Sequence, residues 1–328
     1  MRRCLVVLVM LLVLATGVPR ATAQSVPGAP GWTFEPATAD GTATSRTFFD
    51  YSLAPGEAIQ DYVRLTNPSD HDLTFAVYGA DAYTTTQGAF ALRLRDQPRT
   101  GVGGWVSLPF ATRTVAAETS ITFPFQLGIP ADIEPGDWAG GVVAVATDPA
   151  TPQPASNVTI EQGVGARIYL RVRGPLHPGL TVTKLDMRAD GGTWAPFSGK
   201  QHAAFTYEIA NTGNVRLTGT ARLDIVDAFG RTVKSFSSRT LPELLPHDRA
   251  TVTEAWDGAP LLSTGFRPRL VVDADGVSAT REAPRVWRGS FPAAIALVLA
   301  VVLAMLIARS LVRRLSKLRH RPKALVPA

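Results

Sequence analysis

Apolar and polar residues alternate along most of this chain. Leu73, Phe75 and Val77 alternate with Thr74, Ala76 and Tyr78, and Ile121, Phe123, Phe125, Leu127 and Ile129 with Thr122, Pro124, Gln126 and Gly128. Ile168, Leu170 and Val172 alternate with Arg167, Tyr169, Arg171 and Arg173. A period of two sends one set into a core and the other toward solvent, so each run predicts a strand. Pro124 cannot donate to a ladder and is expected at a sheet edge. Turn residues separate the runs at short intervals: Pro55-Gly56, Asn67-Pro68, Gln87-Gly88, Pro135-Gly136 and Asp190-Gly191-Gly192. No helical period of useful length interrupts them between Gln24 and Arg288. Many short strands with regular turns predict an all-β fold of two Ig-like β-sandwich domains.

The boundary falls at Gly174–Gly179, where G-P-L-H-P-G follows a strand-like run (Asn157–Arg173) and precedes another (Leu180–Met187). Asp148–Ser156 reads as a long loop within the first domain. Asp61–Asn67 and Phe205–Asn211 each run a strand into an Asn turn with a further strand beyond, a theme common to the two halves.

Two apolar runs break the alternation. Near the N-terminus, Arg2 and Arg3 precede Leu5–Ala15, and Ala21-Thr22-Ala23 gives a small-residue cleavage pattern. This predicts a signal peptide over residues 1–23 and a mature chain from Gln24. Near the C-terminus, Phe291–Ala308 carries no charge and would span about 27 Å as a helix, close to the ~30 Å hydrocarbon core. Trp287 precedes it at the interfacial position. Arg309, Arg313, Arg314, Lys317, Arg319, Arg321 and Lys323 follow it with no acid among them, which places the tail in the cytoplasm. The expected order is signal peptide (1–23), lead segment (24–45), first sandwich (46–174), second sandwich (177–284), transmembrane helix (291–308) and basic tail (309–328). The chain is then a single-pass type I protein of the cell membrane with an extracellular, wall-facing ectodomain.

That topology changes the meaning of the charge. The net +6 comes from 33 Lys and Arg against 27 Asp and Glu, but three basic residues lie in the signal region and seven in the tail. The remainder is mildly acidic, so the basic balance gives no support for nucleic-acid binding. Cys4, the one cysteine, lies in the signal region, which leaves the mature chain without disulfides or thiolate chemistry.

Catalytic motifs are missing: no H-E-x-x-H, G-x-S-x-G, P-loop or S-x-x-K pattern occurs, and Gly101–Gly104 reads as a loop before a strand at Trp105. His71, His177 and His247 sit in turn contexts. An enzyme is not expected, and no cofactor is called for. Asp132, Glu134 and Asp137 crowd one turn and Asp273 and Asp275 another, but neither follows an ordered calcium loop, and solvated turn acids account for them. Tyr83, Phe90 and Trp138 stand beside polar groups near turn tips. Such aromatics either stack on sugar rings, which makes these three the candidate glycan-binding residues, or plug the ends of the sandwich.

The stretches Phe49–Glu57 (F-D-Y-S-L-A-P-G-E), Leu65–Asp70 (L-T-N-P-S-D), Tyr78–Phe90, Trp105–Leu108 (W-V-S-L) and Ile129–Val142 (I-P-A-D-I-E-P-G-D-W-A-G-G-V) resemble the N-terminal domain of the WxL-interacting proteins, surface proteins of Gram-positive bacteria. Tyr207–Val215 and Asp227–Gly230 resemble their second, Ig-like domain. The richness in Ala, Arg, Gly and Val suggests an actinobacterial member. The resemblance implies a non-enzymatic cell-surface scaffold or adhesion protein whose first domain binds peptidoglycan or another wall polymer. Its second domain would bind a WxL-type or other exported surface protein. It supplies no individual binding residue. The alternative is a membrane-tethered accessory or chaperone-like subunit that offers a sheet edge to an exported partner. The topology is checked by a reporter fused after Ala328. It should be active only if it works in the cytoplasm, and activity of an exterior-dependent reporter there overturns the orientation.

Overall fold

The structure is a computed structural model that describes residues 31–147, 163–190, 202–227, 229–257, 266–285 and 291–319. The expected signal peptide, the loop at 148–156, the first part of the Asn157–Arg173 run, Trp287 and the end of the tail lie outside these residues.

The strands form four sheets around two cores. In the first half, β1 (Thr33–Ala37), β3 (Ala58–Asn67), β8 (Thr119–Gly128) and β6 (Val106–Ser107) line up in that order. The facing sheet has the order β2 (Phe49–Leu53), β10 (Gly163–Val172), β9 (Gly136–Ala146), β4 (Leu73–Thr84) and β5 (Phe90–Leu92), with β7 (Thr112–Val115) also on β4. In the second half, β11 (Leu180–Asp190), β12 (His202–Asn211) and β16 (Arg249–Asp257) form one sheet. The other joins β14 (Thr232–Ser235), β13 (Gly219–Val226), β17 (Arg267–Ala274) and β18 (Val277–Glu282), with β15 (Arg239–Thr240) also on β13. β2 runs parallel to β10, and the other described pairs are antiparallel.

The alternation places the inward residues as read, but Ala76 and Tyr78, read as solvent-facing, are buried as well. Phe75 and Val77 from β4, Phe123, Phe125 and Leu127 from β8, and Ile168, Leu170 and Val172 from β10 are buried in one cluster, and half-buried Ile121 packs against it. Pro124 lies where β8 has a strand neighbour only on its β3 side, because β6 pairs no further than Gln126 and Leu127.

Three readings need correction. The segment assigned to a lead, 24–45, contributes a strand. β1 pairs with β3, Trp32 meets Phe75 edge-on with centroids 4.8 Å apart, and Phe34 stacks on Phe123 at 6.2 Å, so the first core includes this segment. A five-residue strand interrupted by Pro36 is too short to display its period. Gly101–Gly104 is not a simple loop: Val102–Trp105 makes one helical turn, α1. The buried Asp81 carboxylate holds it by accepting from the backbone N–H groups of Thr100 (2.6 Å), Gly101 and Gly103 (2.7 Å). Finally, the C-terminal helix α2 runs Phe291–Arg319, through Ala308 and into the basic stretch. Its Ile295–Arg313 portion is long and apolar enough to cross a membrane, and it is not buried against the rest of the chain.

The Asn theme has a physical counterpart in both halves. Asn67 ends β3 and Asn211 ends β12, both buried. The Asn67 amide donates to the carbonyls of His71 (2.8 Å) and Val115 (3.0 Å), while its oxygen accepts from the Ser69 N–H (3.0 Å). Asn211 repeats the pattern with Val215 (2.7 Å), Leu244 (3.1 Å) and the Gly213 N–H (3.0 Å). Each ties a turn to a third segment. Asn67→Ala or Asn211→Ala removes a buried amide that ties its turn to a third segment and is expected to cost about 1–3 kcal/mol each. Denaturant titration of the full chain checks this, and an unchanged midpoint contradicts the assigned role.

Candidate binding surfaces

The two halves dock through the very turns that carry the candidate residues. β10 ends at Val172 and β11 begins at Leu180. Across the junction, the Asp137 N–H donates to the Asn214 carbonyl (2.8 Å), and the Asn214 amide donates to the Pro135 carbonyl (2.9 Å). Asp137 also accepts from the Arg216 N–H (2.9 Å) and, through both oxygens, from Arg171 (2.7 and 2.8 Å). Gly136, at φ 140°, sits where an added Cβ would be 2.5 Å from the Asn214 oxygen, so the turn can approach only as glycine. On the hairpin, the Thr84 N–H donates to Asp248 (2.6 Å), and the Thr251 N–H from β16 donates to the Thr86 carbonyl (2.8 Å).

Tyr169 joins the halves at a third point. Its strand alternation predicted a solvent-facing side chain, but the ring is buried. Phe48 and Phe90 meet it edge-on at 5.3 and 5.8 Å, and the Arg216 guanidinium lies 4.1 Å over it. Its hydroxyl donates to Glu243 (2.8 Å), which pairs with Arg216 (3.1 Å). Burial, followed by the Glu243 carboxylate, raises the Tyr169 pKa.

Of the candidate aromatics, the fold brings Tyr83 and Trp138 together and sets Phe90 apart. Tyr83 and Trp138 line one cleft between the halves, of about 220 Å³, with Arg93, Glu134 and His247. Arg93 lies 5.4 Å over the Tyr83 ring. Trp138 packs on Trp105 with centroids 4.9 Å apart, and its indole N–H donates to the Glu134 carbonyl (3.3 Å). On the other side of Trp138 is a second cavity of about 290 Å³, lined by Asp50, Tyr51, Ser52 and Arg171. Both cavities share Leu245 and Pro246, so Trp138 forms a shelf along one interdomain groove.

The turn acids have other partners. Asp137 is held by Arg171 and Arg216, and Asp275 accepts from the Thr218 N–H (2.6 Å). Asp132 and Glu134 are exposed. Among the described residues, no group of three or more His, Cys, Asp or Glu side chains is placed to hold a metal ion.

Phe90 belongs to a different surface. β4 runs past the sheet to pair with β5, Thr84 opposite Phe90 and Ala82 opposite Leu92, which folds the hairpin over the outer sheet face. Leu92 covers a small cluster of Tyr78, Ala80, Val143 and Val145. Gly165 gives it room, since a Cβ there would be 2.4 Å from Leu92 Cδ1. A groove of about 390 Å³ remains beside the hairpin, lined in part by Phe90, Leu92, Leu94, Gly163, Gly165 and Arg167. It opens on the edge of β10. β2 pairs only with Ile168–Val172 of β10, and among the described residues no strand pairs with Gly163–Arg167 on that side.

No family model matches the chain, and no curated protein matches it. Solved structures similar to it include a chaperone–tip adhesin complex of CFA/I fimbriae. That match has 11% identity and a TM-score of 0.38, covering 78% of this chain and 99% of that one. The class 5 fimbriae chaperone CfaA has 11% identity and a TM-score of 0.34, covering 77% and 100%. The CsuC–CsuE chaperone–tip adhesion subunit complex of Acinetobacter baumannii has 11% identity and a TM-score of 0.33, covering 70% and 94%. At these scores the likenesses carry no argument about what this chain binds.

The groove floor has a titratable support. Tyr51 and Arg46 both donate to Asp61 (2.7 Å each), below the second cavity. Burial pushes the Asp61 pKa up, but these hydrogen bonds outweigh it and hold the carboxyl below its ordinary value. Asp61 therefore adds stability above the ordinary carboxylate pKa of about 4, and the contribution is lost as pH falls through the lowered value. Asp61→Asn is expected to reduce stability at neutral pH and to flatten its fall in acid. Unfolding measured across pH checks this, and an acid limb identical to that of the unaltered chain contradicts it.

Proposed function

We propose that the chain is a non-enzymatic, membrane-tethered accessory subunit that holds an exported protein by adding a strand to the open edge of β10. The observation that supports this most directly is the Gly163–Arg167 edge, which no strand among the described residues pairs on its β2 side, beside an apolar groove. An unpaired edge is a row of unmet backbone donors and acceptors, and a partner strand satisfies them while its alternate side chains enter the groove. In this reading α2 tethers the protein and both sandwiches face outward. A WxL-bearing surface protein, the partner class implied by the sequence resemblance, is compatible with it.

A second reading, a scaffold that grips wall polymer, is favoured by the placement of Tyr83 and Trp138 along one groove between the halves. Flat rings among Arg93, Glu134 and His247 suit a sugar, and clefts between domains are common ligand sites.

One experiment separates the two. The full chain in detergent is offered exported proteins of its own cell and, separately, insoluble peptidoglycan, and amide hydrogen exchange is followed. Protection of Gly163–Arg167 on protein capture supports the accessory reading. Peptidoglycan retention with those amides unprotected replaces it with the second. For that second reading, Tyr83→Ala or Trp138→Ala is expected to reduce retention at unchanged melting temperature. Loss of both together makes these residues structural.

A further inference from the structure

The groove beside the open edge has a chemistry of its own. Its floor is apolar, built from Tyr78, Val143 and Val145 under Leu92, and Leu94 at its mouth is 62% exposed. Two of its lining residues are cationic, Arg93 and Arg167, and none is acidic. Arg167 lies 4.6 Å over the Phe90 ring and Arg93 5.4 Å over Tyr83, and neither is in an ion pair among the described residues. Arg99 lies 5.3 Å over the Tyr78 ring and adds to the positive field. A guanidinium stacked on a ring has its plane set and keeps in-plane donors for a carboxylate. On the strand side, exposed Gly163 and Gly165 present bare backbone, which suits the close approach of another backbone.

We infer that this groove selects an extended segment of an exported protein in which a carboxylate stands two residues from an apolar side chain. The spacing follows from strand geometry. Residues two apart lie on the same face, roughly 6.5–7 Å from one another. An apolar side chain on a strand beside Gly165 therefore brings one of its i±2 neighbours alongside Arg167. This rests on the reading of β10 as a strand acceptor and adds the chemistry of what is accepted. The charges also act against wrong partners, because a basic strand would bring like charges together in a partly dry groove.

The test uses the full chain in detergent and two short peptides of alternating Thr and Val. One carries Glu-Thr-Leu-Thr-Glu at its centre and the other Lys-Thr-Leu-Thr-Lys. Affinity is measured by calorimetry and the binding position by amide exchange. The acidic peptide is expected to bind about tenfold more tightly or better, with Gly163–Arg167 protected. Arg167→Glu and, separately, Arg93→Glu are expected to turn the preference toward the basic peptide at an unchanged melting temperature. Equal affinity of the two peptides, or loss of binding in both variants without reversal, overturns the inference. If both peptides protect the edge without preference, the strand-acceptor reading stands and the charge selection falls. If neither protects it, both fall.

Discussion

The docking of the two halves is the constraint on which the rest depends. It rests on a few polar contacts at fixed points: Asn214 with Pro135 and Asp137, Asp248 with Thr84, and Glu243 with Tyr169. These contacts are spread over three separate segments of the first half, so a hinge at any one of them would break the others. The groove between the halves exists only because they hold together, since Tyr83 comes from the end of β4, Trp138 from the start of β9, and His247 from the second half. A chain without a disulfide in its described sheets obtains this rigidity from directional, partly buried hydrogen bonds.

Much of this architecture could be read from the chain itself. Period-two alternation identified the inward residues of β4, β8 and β10, because a register error of one would have turned Phe123 and Phe125 into solvent. The buried Asn at the end of β3 and of β12 explains why both halves carry the same strand-to-Asn motif. It is a backbone-like amide that bonds the carbonyls of its own turn and of a third segment at once. β1 escaped notice because its period is too short, and α1 because one turn held by a distant carboxylate has no local signature.

The surfaces were less legible, for a reason that Tyr169 illustrates. Alternation says which face of a strand points away from its own core, but not what else covers that face. The outer face of β10 is covered at Tyr169 by the second half and at Gly165 by Leu92, yet it is open at the groove. A large aromatic flanked by arginines in R-I-Y-L-R, and glycines at alternate positions in G-V-G, were the available signals that this face is not ordinary solvent. Tyr83 and Trp138 were found because aromatics at turn tips are visible in sequence. Arg93, Arg167, Glu243 and Asp248 were missed because their roles come from contacts remote in sequence.

The same strand then links the two kinds of surface. Gly163–Arg167 is the open edge, and Tyr169, two residues on, is bonded to Glu243. The second half therefore clamps β10 immediately beside the place where its backbone is unpaired. A free edge that could bend or slip would have to be ordered whenever a strand was added, and that ordering would oppose binding. β10 instead has β9 along one side throughout, β2 along the last part of the other, and Glu243 on the ring of Tyr169. What stays unpaired is held in strand geometry from both directions. On the strand-acceptor reading, the second half would serve partner binding without touching the partner, by supplying the rigidity that an acceptor edge needs.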